Sequence, residues 1–131
     1  MAMARYKTKA AALIGIAVLV VFPSMVFGSG VIWVVGGEDA KWESPGFDYQ
    51  AWSDSMSFWA GDELVFKYDP SSYNVVVAAS QDDYDRCNLV PNLGVYSSGQ
   101  DALILTSPGN YYFMCQGLCE SGMKFVARAK E

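Results

Sequence analysis

From Val31 onward the chain alternates short apolar runs with turn-forming residues. "VIWVV" (Val31–Val35) is a β-branched run that stops at Gly36-Gly37. "ELVFKY" (Glu63–Tyr68) places Leu64, Phe66 and Tyr68 on one side of an extended segment, the period of two expected of a half-buried strand. "NVVVAA" (Asn74–Ala79), "GVYSS" (Gly94–Ser98), "ALILT" (Ala102–Thr106), "NYYFM" (Asn110–Met114) and "KFVARA" (Lys124–Ala129) follow, separated by Asp69-Pro70, Ser98-Gly99 and Pro108-Gly109. Two stretches, Tyr49–Ser53 and Asp82–Arg86, predict single helical turns, the second with acidic residues near its N-terminus, where negative charge is favoured. Seven or eight short strands and no long helical period predict an all-β domain, a Greek-key sandwich or barrel.

The first thirty residues follow a different pattern. Arg5, Lys7 and Lys9 precede an uncharged apolar run from Ala10 to Phe22, which Pro23 ends before the small residues Ser24, Gly28, Ser29 and Gly30. This is the layout of a secretory signal peptide. The run is also shorter than the ~20 residues of a membrane-spanning helix. Residues 1–28 are expected to be removed after Gly28, with Gly30 as the alternative cleavage point, leaving residues 29–131 as one domain of about 103 residues. The charged end "FVARAKE" is unlike the apolar tail of a lipid-anchor signal. A soluble secreted protein without a transmembrane anchor is expected.

Charge narrows the partners. The full chain carries −5, and loss of the three N-terminal cations leaves six basic against fourteen acidic residues, or −8. Such a surface repels nucleic acid. The acidic residues Glu38-Asp39, Asp62-Glu63 and Asp82-Asp83-Asp85 fall at turns and are expected to be solvated; the last group lacks the ligand pattern of a calcium loop. With no histidine in the chain, a Ser-His-Asp or Cys-His arrangement cannot be built, and there is no Gly-rich phosphate loop. No enzymatic activity is expected. Trp33, Trp42, Trp52 and Trp59 are read as core and rim packing, with a stacking surface for carbohydrate or peptide as the alternative. The three cysteines, Cys87, Cys115 and Cys119, predict one disulfide and one remaining thiol in a secreted domain.

Taken in order, "GVIWVVGGEDAKW", "FWAGDELVFKYDPSSYNVVVA", "YDRCN", "VYSSGQDALILTSPGNYYFMC" and "CESGMKFVA" resemble a plant phytocyanin, most of all the plantacyanin or basic blue protein branch. The resemblance covers nearly all of residues 29–131 and implies a cupredoxin-like Greek-key β-sandwich. It also implies four copper-ligand positions. The first is the residue before Asn-Val-Val, here Tyr73. The second is the Cys that ends the "YYFxC" strand, here Cys115. The third is the residue before the next Cys, here Leu118, and the axial position is the Met of "SGM", here Met123. The family's imidazoles belong at Tyr73 and Leu118, so only Cys115 and Met123 keep ligand chemistry. The Cys115-to-Cys119 connection is about two residues shorter than in copper-bearing members of the family. The resemblance further implies a Cys87–Cys119 disulfide; the rival Cys115–Cys119 link would close a loop too small to constrain much.

A blue-copper centre needs two imidazoles and a thiolate, with a weak axial thioether. A thiol and a thioether alone do not supply that set. The expectation is therefore a secreted phytocyanin-like protein with a degenerate type 1 copper site and no bound cofactor. It would act as a non-redox binding or structural protein in the cell wall or apoplast, or at the outer face of the plasma membrane. A wall polysaccharide, a protein or a small ligand would be its partner, and the chain is expected to be a monomer. Tyr73 and Leu118 are expected to fill the vacated volume as a closed apolar plug, with Cys115 a buried thiol. The alternative, from the resemblance taken whole, is a small electron carrier holding copper.

Overall fold

The computed structural model describes residues 30–131; the expected signal peptide lies outside them. The chain runs through β1 (Ile32–Val34), α1 (Gly37–Ala40), α2 (Tyr49–Asp54), β2 (Phe58–Trp59), β3 (Glu63–Lys67) and β4 (Val75–Ala78). It continues through α3 (Gln81–Asp85), β5 (Asn92–Tyr96), β6 (Gln100–Ile104), β7 (Gly109–Met114), a 3-10 turn (Cys119–Ser121) and β8 (Lys124–Lys130). One sheet has the order β1-β3-β6 and the other β2-β8-β7-β4-β5. The pairs β1–β3 and β2–β8 are parallel, so their connections cross between layers, as in a Greek-key sandwich. All seven strands expected from the apolar runs are present. The two-residue β2 was missed, because a pair of aromatics carries no readable period.

The period of two explains the core. Leu64 and Phe66 on β3 face Phe113 on β7 and Phe125 and Ala127 on β8, all fully buried. Phe125 is the centre of an aromatic cluster, with ring centroids 5.2 Å from Phe113, 5.7 Å from Trp42 and 5.8 Å from Trp52. The β4 run is apolar on both faces for a different reason. Val75 enters the core between the sheets, whereas Val76 and Ala78 pack outward under Tyr84 of α3, with Met114 and Cys119. A short helix laid on the outer face makes that strand buried twice over, which is why it reads as an unbroken β-branched run.

Local chemistry sets the helices. Asp48 caps α2 by accepting from Ala51 N at 2.9 Å, and Ser80 caps α3 by accepting from Asp83 N at 3.1 Å. The α2 turn then serves β8. Gln50 accepts from Val126 N and donates to Val126 O, and Ser53 Oγ also donates to Val126 O at 2.7 Å. These side chains satisfy backbone groups of β8 that β2, which pairs only Ala129 and Lys130, does not reach. At the end of β1, Gly36 has φ 79°; a Cβ there would lie 2.4 Å from Lys41 O and 2.8 Å from Tyr49 Cε1, so the turn requires glycine.

One expectation is corrected. Asp62 is not a solvated turn charge: it is 2 % exposed and accepts from Val31 N (2.9 Å), Trp33 Nε1 (3.0 Å) and Trp59 N (3.0 Å). Its carboxylate joins the start of β1 to the β2–β3 turn, and three donors compensate its burial. Trp42 is fully buried and Trp59 is 47 % exposed, in keeping with core and rim roles for the tryptophans.

Candidate functional site

The residues singled out in the sequence converge on one end of the sandwich, where β4 begins, β7 ends and β8 begins. Backbone bonds close the loop after β7 on itself: Cys115 N donates to Met123 O (3.1 Å), Leu118 N to Cys115 O (3.1 Å) and Met123 N to Leu118 O (3.0 Å). The start of β4 is clasped to the same loop. Gln116 N donates to Asn74 Oδ1 (2.9 Å), Asn74 Nδ2 donates to Gln116 Oε1 (3.1 Å), and Trp42 Nε1 holds Asn74 O (2.8 Å). Tyr73, next to Asn74, is fixed by its own N–H to Asp69 O (3.0 Å). Sequence reasoning placed Asn74 only as a strand start. Its role as a clasp depends on Gln116, 42 residues away, and had no local signal.

The four positions differ in burial. Cys115 and Met123 are fully buried within the main core, and Tyr73 and Leu118 are half-buried and pack against it. Burial pushes the Cys115 thiol above its ordinary pKa, against a smaller opposing effect from the Asn74 backbone. The nearest cation in sequence, Lys124, points to the outer face of the sheet, where its Nζ lies 4.4 Å over the Tyr84 ring and donates to Tyr84 O. The thiol is therefore protonated at neutral pH and poorly nucleophilic.

The loop is tied to α3 by the Cys87–Cys119 disulfide, Cα–Cα 5.8 Å, and Cys115 is the free cysteine. The acidic residues of α3 are engaged locally. Asp83 accepts from Ser80 Oγ and Asn88 Nδ2, Asp85 accepts from Gln81 Nε2, and Asp82 pairs with Arg86 at 3.2 Å. Among the described residues no three His, Cys, Asp or Glu side chains gather as a metal-holding group.

Leu118 and Tyr73 both pack against the core while staying partly exposed, and Tyr73 also borders a concavity. There the surface opens into a polar depression of about 350 Å³ between the loop Pro70–Asn74, Ser97 and Gln116. A second concavity, about 420 Å³ and apolar, lies where β5 and β6 leave the two sheets open and is lined by Val77, Tyr96, Leu103 and Phe113 among others.

Comparison with known proteins follows the same outline. The plastocyanin-like domain family matches residues 42–123. The chain belongs to this family, the plant phytocyanins. It is 39 % identical to the basic blue protein of Cucumis sativus over 100 residues, covering 75 % of this chain and 98 % of that one. Identity to the chemocyanin of Lilium longiflorum is 37 %, covering 76 % and 75 % of the two chains. The solved structure of cucumber basic protein, a blue copper protein, superposes with a TM-score of 0.65 at 37 % identity, over 76 % of this chain and 99 % of that chain. As a phytocyanin, the chain has the cupredoxin-like sandwich expected from its sequence.

Proposed function

We propose that this phytocyanin works without copper, as a secreted, monomeric binding or structural protein of the plant extracellular space. One observation carries the reading: Tyr73 and Leu118 stand where the family resemblance calls for imidazoles, in a chain with no histidine to replace them. The donor set does not fit a type 1 centre. It consists of a buried, protonated thiol at Cys115, a buried thioether at Met123, a phenol oxygen at Tyr73 and a hydrocarbon at Leu118. Cupric ion is held in such centres by nitrogen donors, and the loop from Cys115 to Met123, closed by its own backbone bonds, contains no imidazole. The scaffold that would position a metal is instead a rigid platform of two strand ends, one loop and a disulfide. Secretion to the apoplast agrees with the N-terminal pattern and with the disulfide.

The test is direct. The secreted protein, oxidised and purified, is incubated with Cu(II), desalted, and examined by metal analysis and visible absorption. The expected result is a colourless protein with less than about 0.1 copper per chain, given the absence of a nitrogen donor pair. About one copper per chain with an intense thiolate-to-copper band would overturn the proposal and favour the electron-carrier alternative.

A further inference from the structure

We propose that the depression beside Tyr73 is a binding site for a neutral saccharide; it rests on the copper-free reading in that Tyr73 faces the ligand and not a metal. The first support is the chemistry of the lining. Ser71, Ser72 and Ser97 contribute hydroxyls, Asn74 and Gln116 contribute amides, Tyr73 contributes an aromatic ring, and no lining side chain is charged. Hydroxyls and amides donate and accept at once, which is the pattern a polyol presents in return. A half-exposed phenol ring offers an apolar face with a polar tip, suited to the mixed faces of a pyranose.

The second support is rigidity. Asp69 Oδ1 accepts from both Ser71 N (3.0 Å) and Ser71 Oγ (2.8 Å), and Asp69 O accepts from the N–H groups of Ser72 and Tyr73. The opposite wall is the Asn74–Gln116 clasp, itself anchored by the buried Trp42. A preorganised wall lowers the ordering cost that limits weak polar binding. Once the clasp is made, Gln116 Nε2 and the hydroxyls of Ser72 and Ser97 have no side-chain or backbone partner among the described residues, so hydrogen-bonding capacity remains for a ligand.

Charge selects the class. The processed chain carries −8 and Asp69 lies directly under the loop, so a uronic or sulfated sugar meets repulsion that a neutral one does not. The volume, about 350 Å³, lies at the small end of ligand sites, about 300–1,000 Å³, and the depression is open, so a chain can extend past it. Weak affinity is expected, on the order of 0.1–1 mM.

The experiment uses the secreted protein labelled with ¹⁵N and ¹³C, titrated with cellohexaose, xylohexaose and mannohexaose, and with hexagalacturonate as the anionic comparator. Copper content is measured on the same sample. At least one neutral hexasaccharide should shift the Gln116 side-chain amide and the Tyr73 ring signals, with hexagalacturonate at least tenfold weaker. Ser97→Ala, which leaves the clasp untouched, should weaken binding about threefold, and Tyr73→Ala at least fivefold. Silence with all three neutral probes, shifts located elsewhere, equal binding of hexagalacturonate, or affinity unchanged in both variants would each overturn the site. Saccharide binding by a copper-loaded protein would overturn the copper-free reading and leave the site standing. A copper-free protein that binds no saccharide would overturn the site alone.

Discussion

Replacing Asp62 should destabilise this fold more than any surface carboxylate, and the structure allows the amount to be worked. The side chain is 2 % exposed and accepts three N–H donors. Hydrogen bonds to a charged group contribute about 1.5–3 kcal/mol each. Val31 and Trp59 are themselves about half exposed, so water can rebind their N–H groups once the carboxylate is gone, and each counts near the low end or below it. The Trp33 indole, part-buried, counts more fully. Asp62→Ala should therefore cost about 3–4 kcal/mol, which in a domain of this size lowers Tm by roughly 15–25 °C. Asp62→Asn keeps the shape and one acceptor oxygen and should cost about half as much. Burial pushes the Asp62 carboxyl up, but the Trp33, Val31 and Trp59 donors outweigh it and hold the pKa below its ordinary value. A depressed pKa means the ionised group's stabilisation is complete above the unfolded value near ~3.9 and is lost as pH falls through the folded value. The gap between the wild type and Asp62→Asn should therefore narrow as pH drops from about 5 towards 2. Urea denaturation followed by tryptophan fluorescence at several pH values measures both quantities. A loss below about 1 kcal/mol in Asp62→Ala at pH 6, or a gap that does not change with pH, would refute the reasoning.

The other predictions concern the cysteines. Cys87 and Cys119 are 32 residues apart in sequence, and a loop of that length gives about 3–4 kcal/mol in the chain-entropy account, so the double alanine variant should lose roughly 15–20 °C in Tm; a loss under about 5 °C by calorimetry would contradict it. Cys115 is fully buried with a raised pKa, so Ellman's reagent at pH 8 should label the native protein at least about 100-fold more slowly than the protein in guanidinium, and fast native labelling would show that the thiol is accessible.

Sequence alone determined the strand content of the domain and which residues within a strand share a face. A strand's side chains alternate by geometry, so Leu64, Phe66 and Tyr68 had to share a face, and turn residues set where each strand stops. Sequence also determined what chemistry is absent: without histidine no imidazole can be delivered to any site, whatever the fold. Tertiary structure decided what depends on distant partners. Asp62 reads as an ordinary turn aspartate until three donors from β1 and the β2–β3 turn surround it. Asn74 reads as a strand start until Gln116 is folded against it. The depression beside Tyr73 exists only because two loops and Ser97 meet at one end of the sandwich. A chain's local pattern reports the period and face of its own residues, whereas burial of a polar group and the shape of a cavity are properties of several segments at once, and only their packing creates them.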